Sequence, residues 1–135
     1  MRILAVDDDQ AMCELIKAAL AKQGFEVEWR TTGAAAIALI ADVDFQAIVT
    51  DINLGDMSGF DICEYVRTNR PDTPVIVITA FGDMKSAVTA IRAGAHDFIN
   101  KPLDMSVMAH AIQRAVSHRS LNDEVKRLRA EVKRS

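Results

Sequence analysis

Five short apolar runs alternate with five segments whose apolar residues recur at helical spacing,. The runs are Ile3-Leu4-Ala5-Val6, Val27 to Trp29, Ala47-Ile48-Val49, Val75-Ile76-Val77-Ile78 and Phe98-Ile99. After the first, Met12, Leu15, Ile16, Ala19 and Leu20 mark a helix that Gly24 stops,. Thr32 is placed to cap a second, with Ala36, Ile37, Leu39 and Ile40 along it,. The turn-rich Gly55-Asp56-Met57-Ser58-Gly59 leads into a third, carrying Ile62, Tyr65 and Val66. Met84, Ala87, Val88 and Ile91 mark a fourth, closed by Gly94,. The fifth starts near Asp104 and uses Val107, Met108, Ala111, Ile112, Ala115 and Val116. Strict β-then-α alternation requires a parallel sheet with helices on both faces, a doubly wound α/β domain. Right-handed crossovers leave few ways to wind it.

Size and charge narrow the function. A chain of 135 residues holds one domain with a real core and is too short for two,. Its formal net charge of −3 argues against electrostatic binding of nucleic acid by the chain as a whole,. The charge is uneven, however: from Arg114 onward seven basic residues face three acidic ones, so that stretch is +4 and the preceding body −7. Cys13 and Cys63 lack metal-ligand spacing, which fits a reducing compartment,. No apolar run approaches the ~20 residues of a membrane span. A soluble cytoplasmic protein without membrane contact is expected.

In such folds ligands bind beyond the carboxyl ends of the strands. The residues closing the strands are Asp7 and Asp8, Asp51, Thr79-Ala80, and Lys101. Three carboxylates, a hydroxyl and an ammonium therefore converge on one crevice. Crowded carboxylates repel unless a cation intervenes, and oxygen-only ligands favour a hard ion such as Mg²⁺, with Mn²⁺ as substitute. A metal and a lysine around a carboxylate supply what phosphoryl transfer needs, and the carboxylate can itself be the nucleophile. Asp51, closing a central strand, is the expected nucleophile.

The chain resembles the CheY-like receiver domains of bacterial response regulators from Arg2 to about His118. The resemblance rests on Ile3-Leu4-Ala5-Val6-Asp7-Asp8-Asp9, Ile48-Val49-Thr50-Asp51, Met57-Ser58-Gly59, Val77-Ile78-Thr79-Ala80 and Lys101-Pro102,. It implies a five-stranded sheet in the order 2-1-3-4-5 and phosphorylation of Asp51 by a sensor histidine kinase. It also implies Mg²⁺ on Asp8, Asp51 and the Asn53 backbone carbonyl, with Asp7 acting through water. Thr79, the Ala80 amide and Lys101 would hold phosphoryl oxygens, Phe98 would be the aromatic switch, and Lys101-Pro102 would be a cis peptide. Three positions depart from the family's habit. Leu54-Gly55 precede Asp56, which should loosen that loop. Phe98 lacks the hydroxyl of the common Tyr. Phe81 is bulky enough to shield an acyl phosphate from water.

Other residues read as structural. Asp9 is a helix cap, Trp29 and Tyr65 pack, and the cysteines behave as small helix residues. His96, His110 and His118 show no sequence spacing suited to metal binding or catalysis,.

Past the fifth helix's core-facing turns, Leu121, Val125, Leu128 and Val132 form a short a/d stripe,. The expected division is a receiver over 1–118 and a helical linker or short coiled coil over 119–135. The stretches 79–83 and 93–98 resemble the receivers of NtrC-type sigma-54-dependent activators, in which a helical linker leads to further modules. That implies a homodimer through the fourth helix, fifth strand and fifth helix together with the C-terminal helix, feeding an output domain in a transcriptional regulator. A free-standing receiver acting by docking is the alternative. Two other classes fit less well. A haloacid-dehalogenase-type phosphatase needs a second Asp where Asn53 stands, and a dinucleotide-binding module needs a Gly-rich turn after the first strand,.

Overall fold

The protein is described by a computed structural model covering residues 1–80 and 84–134, the side chains of Met84 and Ala87 excepted. The elements run β1 (Arg2–Val6), α1 (Gln10–Ala21), β2 (Glu26–Arg30), α2 (Gly33–Asp42), β3 (Ala47–Asp51), α3 (Gly59–Asn69), β4 (Val75–Thr79), α4 (Met84–Arg92), β5 (Asp97–Asn100) and α5 (Met105–Arg134). The five strands pair in parallel in the order β2-β1-β3-β4-β5, the order that the family resemblance implied.

The strands read as unbroken apolar runs because both faces of the sheet are covered. Alternate side chains go to opposite layers. Ile3, Ala5, Val49, Ile76 and Ile78 pack with Ile16 and Leu20 of α1 and Met108 and Ile112 of α5. Leu4, Val6, Ile48, Val75 and Val77 pack with Ile40 of α2, Ile62 and Val66 of α3, and Ala90 of α4. Trp29 joins the first layer and Tyr65 the second, each only partly buried. β2 is an edge strand, and its flanking Glu26 and Arg30 extend it beyond the apolar residues that signal it.

Helix starts follow local chemistry. Asp9 caps α1 by accepting from the Ala11 N–H, and Thr32 caps α2 by accepting from Ala35,. Met57-Ser58-Gly59 is a capping box for α3: Ser58 Oγ accepts from Phe60 N–H while the Asp61 carboxylate accepts from Ser58 N–H,. At Gly59 the chain passes so near β3 that a Cβ would lie 2.3 Å from the Asp51 carbonyl oxygen and 3.0 Å from Ile52 Cα.

α5 is one continuous helix of 30 residues, so the division expected at 118 falls inside it. Its last fully packed residues are Ala115 and Val116, and from there to Arg134 nearly every position is exposed to solvent. The half-buried Arg119 ties that exit to the body. Its guanidinium donates to Asp44, to the Phe45 carbonyl and to Thr73 Oγ1, all at the amino ends of β3 and β4. Lys126 reaches Asp72 across the same edge.

Gly59→Ala should lower the melting temperature by several degrees, since a backbone oxygen cannot yield as a side chain can, at a cost of about 1–3 kcal/mol. Thermal unfolding followed by circular dichroism measures it.

Candidate functional site

β1 ends at Val6, so Asp7 emerges at the carboxyl edge while still covered; it is 1% exposed. One carboxylate oxygen, Oδ1, accepts from Asp9 N–H at 2.9 Å. The other, Oδ2, is buried with no hydrogen-bond partner. A buried polar atom without a partner is costly and rare. Asp8, next in the chain, is exposed. Asp51 closes β3, where Thr50 pairs with Val6 and Asp51 with Ile78, and it is buried. Oxygens of Asp7, Asp8 and Asp51 lie within 4.8 Å of one another.

Among the described residues, Lys101 is the cation that reaches this cluster. Thr79, the buried end of β4, pairs with Asn100, and its carbonyl accepts the Lys101 N–H at 2.7 Å. The side chain then turns inward and Nζ donates to Asp51 Oδ2 at 3.1 Å. The Lys101–Pro102 peptide is cis. Partial burial alone would lower the Lys101 pKa. The hydrogen bond and charge of Asp51, with the charges of Asp7 and Asp8, outweigh it and hold the ammonium above its ordinary value,. Asp7 moves the other way, to about 6. Burial is the main cause, joined by the Asp51 charge and the Asp8 contact, and opposed by the Asp9 N–H and Lys101.

The other candidates are placed around this centre. Ala80 is exposed directly after Thr79, and exposed Asn53 sits two residues past Asp51, bridged to Ser58. Phe98 is half-buried in β5 against the second core layer, three residues before Lys101 in the chain. Phe81, expected to shield the site, lies outside the described residues.

The loop after β3 is more firmly held than Leu54-Gly55 suggests from sequence. Asp56 spans to the start of α2, accepting from Gly33 N–H at 2.9 Å and Ala34 N–H at 3.0 Å, which lowers its pKa,. That anchor is not readable from the sequence, because its partners lie 23 and 22 residues away. Leu54 fixes the loop from beneath, being 2% exposed. Both cysteines are buried and free; burial first of all pushes Cys13 to about 11 and Cys63 to about 12, so neither forms a ready thiolate,.

Three oxygen ligands in mutual reach, one with an orphaned buried oxygen, suit a hard divalent cation and fit Mg²⁺. A doubly wound sheet with an acidic crevice and a lysine at its carboxyl edge is a receiver-type α/β domain. Residues 3–113 match the response regulator receiver domain family, and the chain belongs to that family. It is 35% identical to the regulatory protein AtoC of Escherichia coli strain K12 over 127 residues, covering 94% of this chain and 28% of AtoC. A CheY-like receiver domain protein from Methanospirillum hungatei JF-1 superposes with a TM-score of 0.85 at 30% identity, covering 90% of this chain and 97% of that one. The beryllofluoride-activated NtrC4 receiver domain dimer gives 0.82 at 31% identity, covering 87% and 97%. The chain spans about a quarter of the length of the curated relatives AtoC and ZraR.

A raised carboxyl pKa means the folded state favours the proton. Ionised Asp7 therefore costs nothing below about pH 4, an increasing amount up to about pH 6, and its full amount above,. In chelator at pH 7.5, Asp7→Asn should raise stability by on the order of 1–2 kcal/mol, and the gain should vanish near pH 4. Melting curves of both proteins across that range provide the check.

Proposed function

We propose that this domain is a phosphoacceptor switch of a two-component relay, taking a phosphoryl group from a sensor histidine kinase onto Asp51. The observation that carries this reading is the convergence of Asp7, Asp8, Asp51 and Lys101 at one strand edge. An Asp51 carboxylate oxygen attacks the phosphorus, the bond from phosphorus to the donor's leaving group breaks, and an acyl phosphate is left on Asp51. Asp8, Asp51 and the Asn53 backbone carbonyl would hold Mg²⁺, with Asp7 through water; the ion supplies charge neutralisation for the phosphoryl oxygens. Lys101, placed on Asp51 Oδ2 beforehand, exchanges that contact for a phosphoryl oxygen,. Thr79 and the Ala80 amide take the others.

Loss of the Lys101–Asp51 contact is the event that reaches the surface. Lys101 directly follows β5, so Thr79 and Phe98 reorganise together, and the face of α4, β5 and α5 repacks. Val88, Ile91 and Val107 are exposed there at 40%, 53% and 49%. A second copy is the partner that suits this face, and the dimeric form of the NtrC4 receiver supports it. Leu121, Val125, Leu128 and Val132, exposed at 63%, 38%, 47% and 74%, extend the same contact along the linker helix of 119–135 beyond the receiver of 1–118,. The relatives AtoC and ZraR, a regulatory and a transcriptional regulatory protein, support an output in transcription through a domain outside this chain, in the manner of NtrC-type sigma-54-dependent activators. The domain itself would touch neither DNA nor membrane and would work in the cytoplasm; among the described residues no helix is long and apolar enough to cross a bilayer.

Incubation with Mg²⁺ and acetyl phosphate should add one phosphoryl group by intact mass, with none on Asp51→Asn or after chelation. Lys101→Met should slow the reaction about tenfold to a hundredfold. No adduct on folded wild type would instead indicate a receiver that signals by docking alone. Sedimentation of the phosphorylated protein should show a dimer, weakened at least tenfold by Val125→Glu with Leu128→Glu, both exposed positions that the fold does not need.

A further inference from the structure

His96 and His118 are far apart in sequence, yet the fold sets their rings 5.2 Å apart, centroid to centroid, at an interplanar angle of 54°. Each is carried by an anchored backbone. His96 ends the turn between α4 and β5, and its N–H donates to the Val75 carbonyl at 2.8 Å. His118 lies on α5 between the packed Val116 and Arg119, whose guanidinium is held by Asp44 and the Phe45 carbonyl. Both residues are exposed, so ions and water reach the rings. Among the described residues, no hydrogen bond engages either ring. A tilt of 54° at this distance is also a geometry that ring pairs adopt on their own,.

The separation matches a chelating pair. With Zn–N bonds of about 2.0–2.1 Å, an imidazole centroid sits roughly 3.2 Å from the ion, so two ligands at a tetrahedral angle have centroids about 5.2 Å apart. The ligating form is neutral imidazole. Partial burial, then the neighbouring His118 and Arg114, lower the pKa of His96 against the opposing charge of Asp97, which favours the neutral form.

We infer that His96 and His118 form a site for a borderline divalent transition ion, Zn²⁺ or a stand-in such as Co²⁺ or Ni²⁺, with water completing its coordination. This goes beyond the phosphoacceptor reading and does not depend on it. The two sites differ in place and in chemistry. His96 precedes β5 and so lies at the amino edge of the sheet, while the carboxylates occupy the carboxyl edge. Nitrogen ligands select borderline ions, and carboxylates select hard ones. A bound ion would clip the entry of β5, two residues before Phe98, to α5 where its solvent-exposed stretch begins. The site would then stiffen the segment through which α5 leaves the body.

The test uses untagged protein in excess Mg²⁺, which fills the acidic crevice, titrated with Zn²⁺ by calorimetry and by proton NMR of the histidine rings. One Zn²⁺ per chain should bind, shifting the ring signals of His96 and His118 and leaving those of His110 in place. His96→Gln and His118→Gln should each weaken binding at least tenfold and abolish the Zn²⁺-induced rise in melting temperature. Asp51→Asn and His110→Gln should bind as wild type does. The inference is overturned if Zn²⁺ uptake survives both histidine substitutions, if it disappears in Asp51→Asn, or if no saturable uptake occurs.

Discussion

Mutual repulsion of Asp7, Asp8 and Asp51 at the end of a parallel sheet is the constraint on which the rest of this molecule turns. Their oxygens fall within 4.8 Å of one another. At an effective dielectric near 20, each pair at that distance costs roughly 3 kcal/mol. Lys101 is a partial answer, reaching only Asp51 by hydrogen bond, and Asp7 answers for the remainder by holding its proton up to about pH 6. A crevice that charged is poised to bind a cation and, through it, an anion. Moving the chain gives little relief at Asp51, which is held in the β3–β4 ladder, or at Asp7, whose N–H donates to the Arg30 carbonyl.

The same ladder explains why so much is legible in the sequence. A strand covered on both faces must be apolar throughout, so β1, β3 and β4 stand out as runs, and the polar residues that close each run include the site residues. β2 reads too short from sequence because an edge strand tolerates the charges of Glu26 and Arg30 at its ends. Contacts that skip across the fold leave no local mark. Nothing near Asp56 points to the amides of Gly33 and Ala34, and nothing near Arg119 points to Asp44 or the Phe45 carbonyl. His96 and His118 have no informative spacing because a strand and a helix separate them; only the return of α5 across the sheet brings them together.

Those long-range contacts share a theme. Asp56 fixes the loop after Asp51, while Arg119 and Lys126 fix the departure of α5 at the opposite edge. Between them lies a core in two layers, and close-packed interiors yield little to movement,. In the proposed switch, a rearrangement at Lys101 would run along β5, past Phe98, to the face of α4 and α5, and on to the exposed stripe of Leu121, Val125, Leu128 and Val132. In the proposed switch that stripe is where output would begin.

The central claim is that the carboxylate crevice is incomplete without a hard cation, and the stability of the protein against Mg²⁺ concentration at pH 7.5 tests it most directly. Wild type should gain melting temperature saturably with Mg²⁺, while Asp8→Asn, which removes an exposed carboxylate without disturbing the core, should lose most of that response. A wild type indifferent to Mg²⁺, or an Asp8→Asn protein that responds equally, would contradict the account.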